Sequence, residues 1–167
     1  MDEAAKKTAL RMIPYGLYVF TARTEDGTPH AATINWVTQT SFAPPLVAMG
    51  IKADSGVYAA FKSAGAGVLN ILGKGQQGPA FAFFKPAVEA EGLLSGEPYA
   101  DAASGAPVLE RAPAALHLKL VDIVEHGDHH IVVAEVTDAE ISLQPEGRPD
   151  DAVLAMRDLG DKVFYGG

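Results

Sequence analysis

The residues best suited to chemistry lie in one uncharged run, Thr33-Ile34-Asn35-Trp36-Val37-Thr38-Gln39-Thr40-Ser41-Phe42. As a strand it places Thr33, Asn35, Gln39 and Ser41 on one side with Val37, and Trp36, Thr38 and Thr40 on the other. Neither side is purely apolar. Buried amides and hydroxyls cost free energy unless they are hydrogen-bonded, and a bound polar ring is one source of partners; a solvated strand face is the alternative. A second cluster follows at Lys52-Ala53-Asp54-Ser55, a cation and a hydroxyl where a strand ends and a helix begins. The free N–H groups of a helix start favour an anion, although Lys52 taken alone is more often just a strand-end charge. Together the two segments match a flat heterocycle that carries a phosphate.

Other patterns carry less. Gly73-Lys74-Gly75-Gln76-Gln77-Gly78 matches the dinucleotide fingerprint, but Pro86 leaves too little chain for the helix that must face a pyrophosphate. His126, Asp128, His129 and His130 crowd one turn, yet adjacent His129 and His130 on a strand point to opposite faces, and Gly127-Asp128 is ordinary turn chemistry. No metal site is expected, and a single histidine reaching into a cleft is the better reading. No serine sits in a Gly-x-Ser-x-Gly elbow. The absence of cysteine excludes thiol nucleophiles, iron–sulfur clusters and disulfides, and fits a reducing cytoplasm.

The elements that must position these residues are mostly strands. Asp2 caps a short lid or packing helix that stops before Pro14. A hairpin follows, Tyr15–Arg23 and His30–Ser41 around Glu25-Asp26-Gly27-Thr28, and then an apolar strand, Leu46–Ile51. Asp54 or Ser55 starts a helix with Val57, Tyr58 and Phe61 on one side, ended at Gly65. Gly67–Leu72 is a buried strand, and Pro79–Lys85 forms at most a short helix. The Gly-, Pro-, Ser- and Ala-rich stretch Ala87–Pro113 reads as a long surface excursion of the kind that often borders a site. A second hairpin pairs Ala115–Glu125 with His129–Ile141, and Leu116, Leu118 and Leu120 alternate on its buried face.

With 167 residues, 48% of them apolar, the chain reads as one domain, 1–167, mainly β with short helices and closest to an antiparallel barrel. A net charge of −8 with no clustered cations excludes a nucleic-acid partner. Met1–Lys7 lacks the apolar run of a secretory signal, and the uncharged stretch 31–51 contains Asn35, Gln39 and Pro44-Pro45, which exclude a membrane helix.

Six short segments occur in a telling order: Ile13-Pro14-Tyr15-Gly16-Leu17-Tyr18-Val19, Ala32-Thr33-Ile34-Asn35-Trp36-Val37-Thr38-Gln39, Pro44-Pro45-Leu46-Val47, Val68-Leu69-Asn70-Ile71-Leu72, Ala82-Phe83-Phe84-Lys85 and Gly127-Asp128-His129. In that order and spacing the chain resembles the flavin reductase-like, FMN-binding split-barrel family over nearly its whole length. Leu118 stands where many relatives carry a cysteine, and it keeps the alternation intact. The resemblance implies a six-stranded antiparallel Greek-key split β-barrel, a homodimer, and FMN near the subunit interface. It implies flavin-ring contacts from Thr33, Asn35, Trp36, Val37 and Thr38, with Ser41 a further cofactor-binding residue. Phosphate contacts would come from Lys52 and Ser55, cover from Phe84 and Lys85, and His129 would be the catalytic residue, where nicotinamide stacks on the flavin. The implied chemistry is hydride transfer from NAD(P)H to flavin, which needs neither an acid–base dyad nor a nucleophile. The implied partner is a flavin-dependent monooxygenase or a redox protein; a flavoredoxin-like carrier reduced by a protein donor is the alternative function.

Overall fold

The computed structural model describes residues 1–167. Asp2 accepts from the N–H groups of Ala4 and Ala5 and so caps α1 (Glu3–Arg11), which buries none of its residues. The chain continues through β1 (Tyr18–Arg23), β2 (Pro29–Ile34), β3 (Val37–Ser41) and β4 (Leu46–Lys52). Next come α2 (Gly56–Ala64), β5 (Ala66–Ile71) and α3 (Gln77–Ala82). Four short strands follow, β6 (Glu89–Ala90), β7 (Leu93–Leu94), β8 (Glu97–Asp101) and β9 (Pro107–Leu109), before the long pair β10 (Ala114–Val124) and β11 (His129–Ile141). Two 3-10 turns, Pro149–Asp151 and Met156–Leu159, complete the elements. No helix is long and apolar enough to cross a membrane.

The main sheet is antiparallel and curled, with the order β2-β1-β5-β10-β11-β4-β3. It has seven strands, not the six expected. The difference arises where one continuous strand, His30–Ser41, was expected: the strand breaks at Asn35-Trp36, and its halves lie at opposite edges of the sheet. The side-chain alternation therefore restarts at Val37, and Thr33 and Asn35 do not share a face with Gln39 and Ser41.

The stretch 87–113 is also more ordered than its composition implies. It folds into a separate four-stranded sheet, β6-β7-β8-β9, that buries Leu94 and Leu109. Its strands are two to five residues long, too short for a visible period.

Two apolar clusters share β1. Phe20 and Ala22 point into the first, with Met49, Ile51, Leu69 and Val132, and α2 closes it with Val57 and Phe61. Phe20 and Phe61 meet edge to face at 5.0 Å. Leu17 and Val19 face the second cluster, with Leu72, Ala80, Phe83 and Leu154. β1 is thus buried on both sides, and its apolar run Leu17–Phe20 is followed by the buried Thr21 and Ala22. Ser55 caps the start of α2, and Gly65 ends it in the left-handed conformation, with φ 69°.

Candidate functional site

A cleft of about 660 Å³ opens between edge strand β2, the end of β4, the start of α2 and the segment after α3. Because β2 pairs only with β1, its outer backbone groups are not used by a ladder. Seven of the expected residues line this cleft: Thr33, Asn35, Lys52, Ser55, Phe84, Lys85 and His129. Trp36, Val37, Thr38 and Ser41 do not, and the break after Asn35 is the reason. Trp36 instead packs over Gly50, where a Cβ would come within 3.0 Å of the indole, and against His129 at 4.7 Å between ring centroids. Thr38 lies beside Ala48, and Ser41 pairs with Leu46 at the far end of β3.

At one end of the cleft the groups suit an anion. The first N–H groups of α2, on Gly56 and Val57, have no partner within the helix, and both residues line the cleft. Lys52 is more than half exposed and bridges Asp54 at 3.0 Å, a contact that raises its pKa through the hydrogen bond first and charge second. Ser55 is already engaged: its hydroxyl donates to Lys52 O at 2.7 Å and accepts from Tyr58 N at 3.3 Å. To donate to an anion, that hydroxyl must turn away from Lys52 O.

The middle of the cleft offers groups for a planar ring. Asn35 is 4% exposed, and its Nδ2 donates to Tyr165 O at 3.1 Å, while its Oδ1 makes no hydrogen bond within the protein. Thr33 holds the neighbouring segment: its hydroxyl donates to Ala80 O at 2.7 Å and its N–H to Phe83 O at 3.0 Å. Those two bonds place Phe84 and Lys85 across from β2.

His129 begins β11 beside Lys52, its cross-strand partner on β4. Its Nδ1 lies 2.9 Å from Asp128 Oδ1, and its Nε2 lies 2.7 Å from the Tyr165 hydroxyl. His130 points the other way, with Nδ1 2.7 Å from the Tyr58 hydroxyl on α2, as the strand alternation requires. The hydrogen bond to His129 holds the Asp128 carboxyl below the usual carboxylate range, and burial raises the Tyr165 phenol.

Three cleft residues had no signal in the sequence. His30 sits against Gly56, where any Cβ would meet Nδ1 at 2.6 Å. Met156 and Tyr165 arrive from the segment beyond β11. The one hint there is the aromatic pair Phe164-Tyr165 between Val163 and Gly166, and a pair alone does not specify a destination.

Comparison with known proteins gives this geometry a context. The reductase component of a 4-nitrophenol 4-monooxygenase/4-nitrocatechol 2-monooxygenase from Rhodococcus opacus is 33% identical over 144 residues, covering 84% of this chain and 73% of that protein. An NADH:FMN oxidoreductase from Rhodococcus qingshengii is 31% identical over 131 residues, covering 78% and 67%. The chain spans 58% and 44% of the lengths of two further relatives. Among solved structures, an NADH:FAD oxidoreductase from Streptomyces globisporus superimposes with a TM-score of 0.67 at 26% identity, over 77% of this chain and 71% of the other. The model of the flavin reductase like domain matches residues 10–158, and the chain belongs to that family.

Proposed function

We propose that this protein is a flavin reductase that takes a hydride from NAD(P)H onto FMN and passes reduced flavin to a monooxygenase. The observation that carries the reading is one cleft that brings together anion-binding groups at Lys52 and the α2 start, an unpaired amide oxygen at Asn35, and a histidine in register with Lys52. The monooxygenase partner is supported by the likeness to a monooxygenase reductase component.

The residues present fit FMN. Lys52 and the N–H groups of Gly56 and Val57 supply donors where a phosphate needs them. Asn35 Oδ1 is a free acceptor for a ring N–H, and it stands just past edge strand β2, where the Thr33 N–H is taken by Phe83 O. When bound, the flavin supplies the hydride acceptor. The protein's own part is to hold and orient: Phe84 and Lys85 cover the cleft opposite β2, and His129 sits where it can align a nicotinamide. No residue in the cleft has to act as a nucleophile.

The curled sheet then serves as a split barrel within one functional unit, 1–167, working in the cytoplasm, where NAD(P)H is held. A homodimer is part of the proposal, with the outward face of the sheet around Ile131 as its contact.

The test is spectroscopic. The purified protein is titrated with FMN and with FAD, and the loaded form is mixed with NADH or NADPH under argon. Loss of flavin absorbance with either nicotinamide is expected; persistence of the oxidised spectrum with both would refute the reading.

A further inference from the structure

His129 has both ring nitrogens engaged by side chains, one from its own turn and one from a segment 36 residues later. The Asp128 carboxylate can only accept, so in the neutral imidazole the proton lies on Nδ1 and Nε2 is a bare acceptor. The Tyr165 phenol, raised by burial, keeps its proton at neutral pH and donates to that Nε2. Asp128 sits on an exposed turn and its side chain is 94% exposed, so it is a weak fixture by itself.

Tyr165 is held independently of His129. Its carbonyl accepts from the buried Asn35 amide at 3.1 Å, and its ring packs on Trp36 at 5.6 Å between centroids. The next residue, Gly166, accepts from Arg11 Nε at 3.3 Å, and the Arg11 guanidinium lies 4.2 Å from the centroid of the Phe164 ring. Gly166 has φ 121° and rests against Trp36, where a Cβ would lie 3.5 Å from the indole. Segment 164–166 is therefore tied to α1 on one side and to the β2–β3 break on the other. The phenol reaches His129 from that anchored position, while Trp36 walls the imidazole edge-on at 61°.

We propose that Tyr165 is a positioning residue: its hydroxyl holds the plane of His129 in the tautomer that Asp128 selects, and so prepares the histidine to align a nicotinamide. This role rests on the reading of His129 given under Proposed function, and two separate measurements keep the ideas apart.

The first uses the full chain without flavin and NMR of isotope-labelled histidine, with the His129 signals identified by their loss in His129→Asn. The native protein should show a pyrrole-type Nδ1 and a pyridine-type Nε2 at neutral to mildly alkaline pH. Tyr165→Phe keeps the ring against Trp36 and removes only the hydroxyl, so the Nε2 shift should move as its donor is lost while Nδ1 stays pyrrole-type. A native His129 carrying its proton on Nε2, or a Tyr165→Phe protein with unchanged shifts and an unchanged circular dichroism spectrum, overturns the proposal. The second measurement is kinetic. Loss of one neutral hydrogen bond should raise KM for the nicotinamide about fivefold and leave flavin affinity within about twofold. A moved Nε2 shift with an unchanged KM would uphold the hold of Tyr165 on His129 and overturn the placement of nicotinamide beside it.

Discussion

At the scale of single residues, the proposed function gives neighbouring side chains different tasks: Lys52 would hold the cofactor, and His129, its cross-strand partner, would align the nicotinamide. Lys52→Ala removes the one lysine beside the α2 start and should weaken FMN binding roughly tenfold or more, as loss of a charge-assisted hydrogen bond does. His129→Ala should leave that affinity nearly unchanged and slow the reduction of bound flavin. Fluorescence quenching on titration with FMN and anaerobic stopped-flow bleaching read the two effects separately. A residue away from the cleft sets a pH dependence. The Glu125 carboxyl is held below its ordinary range by the Lys62 ammonium first and the Tyr58 hydroxyl second. A carboxyl depressed in the folded state stabilises above its unfolded-state pKa and loses that contribution as pH falls through the folded value. Glu125→Gln should therefore lower Tm by no more than about 3 °C near neutral pH, since the pair is exposed, and that difference should shrink as the pH falls through the range of the depressed carboxyl. Lys52 and His129 were legible because each stands at a strand end beside a recognisable turn or cap. His30 and Tyr165 were not, because their place in the cleft depends on distant segments coming together.

At the scale of elements, the break at Asn35-Trp36 decides the site. A strand read straight through places Thr33, Asn35, Gln39 and Ser41 together; the break sends β2 and β3 to opposite edges and leaves only the first two in the cleft. No glycine or proline marks the break, so period-two reading had nothing to stop it. The hairpin β10–β11 and the helix α2 were legible to within a residue or so, because alternation, the Ser55 cap and Gly65 are all local signals. The small sheet was not, since its pairing is secured from outside. Asn70 on β5, fully buried, donates from Nδ2 to Val19 O at 3.1 Å and accepts from Leu109 N at 2.8 Å. Thr21 adds its hydroxyl to Pro107 O, and Arg23 donates to Gly105 O at 2.6 Å. Asn70→Ala strands the Leu109 N–H and opens a small cavity, so it should cost about 2–4 kcal/mol in urea denaturation. Hydrogen exchange should show the loss of protection concentrated in residues 97–109, with β10–β11 protected as before.

At the scale of the whole molecule, the question is what covers the outer face of the sheet. Along β11 the inward residues Val132 and Ala134 are fully buried, while Ile131 is 48% exposed. The register sets Val124 beside Ile131, Ala48 beside Val133, and Thr38 beside Ala48, so an outward patch of small and apolar residues runs across β10, β11, β4 and β3. Asp122 stands beside Val133 on this face and Lys119 beside Glu135, so a second copy can bury Ile131, Val124 and the small residues only where those charges stay at the rim or are paired. The patch continues to the cleft through His129, which shares the outward face with Ile131, so a second copy seated there would border the site and shelter Trp36 and Tyr165. A stable pair must bury on the order of 1,200 Å² or more in total, and one unpaired charge at its centre is costly to desolvate. Sedimentation equilibrium of the native protein should therefore give twice the chain mass, and Ile131→Glu should give the monomer mass with the far-ultraviolet spectrum unchanged. FMN affinity should fall in that monomer, because its cleft loses the neighbouring copy as a wall. A native monomer, or an Ile131→Glu dimer of unchanged strength, would mean that this face meets solvent and that the cleft is complete within one chain.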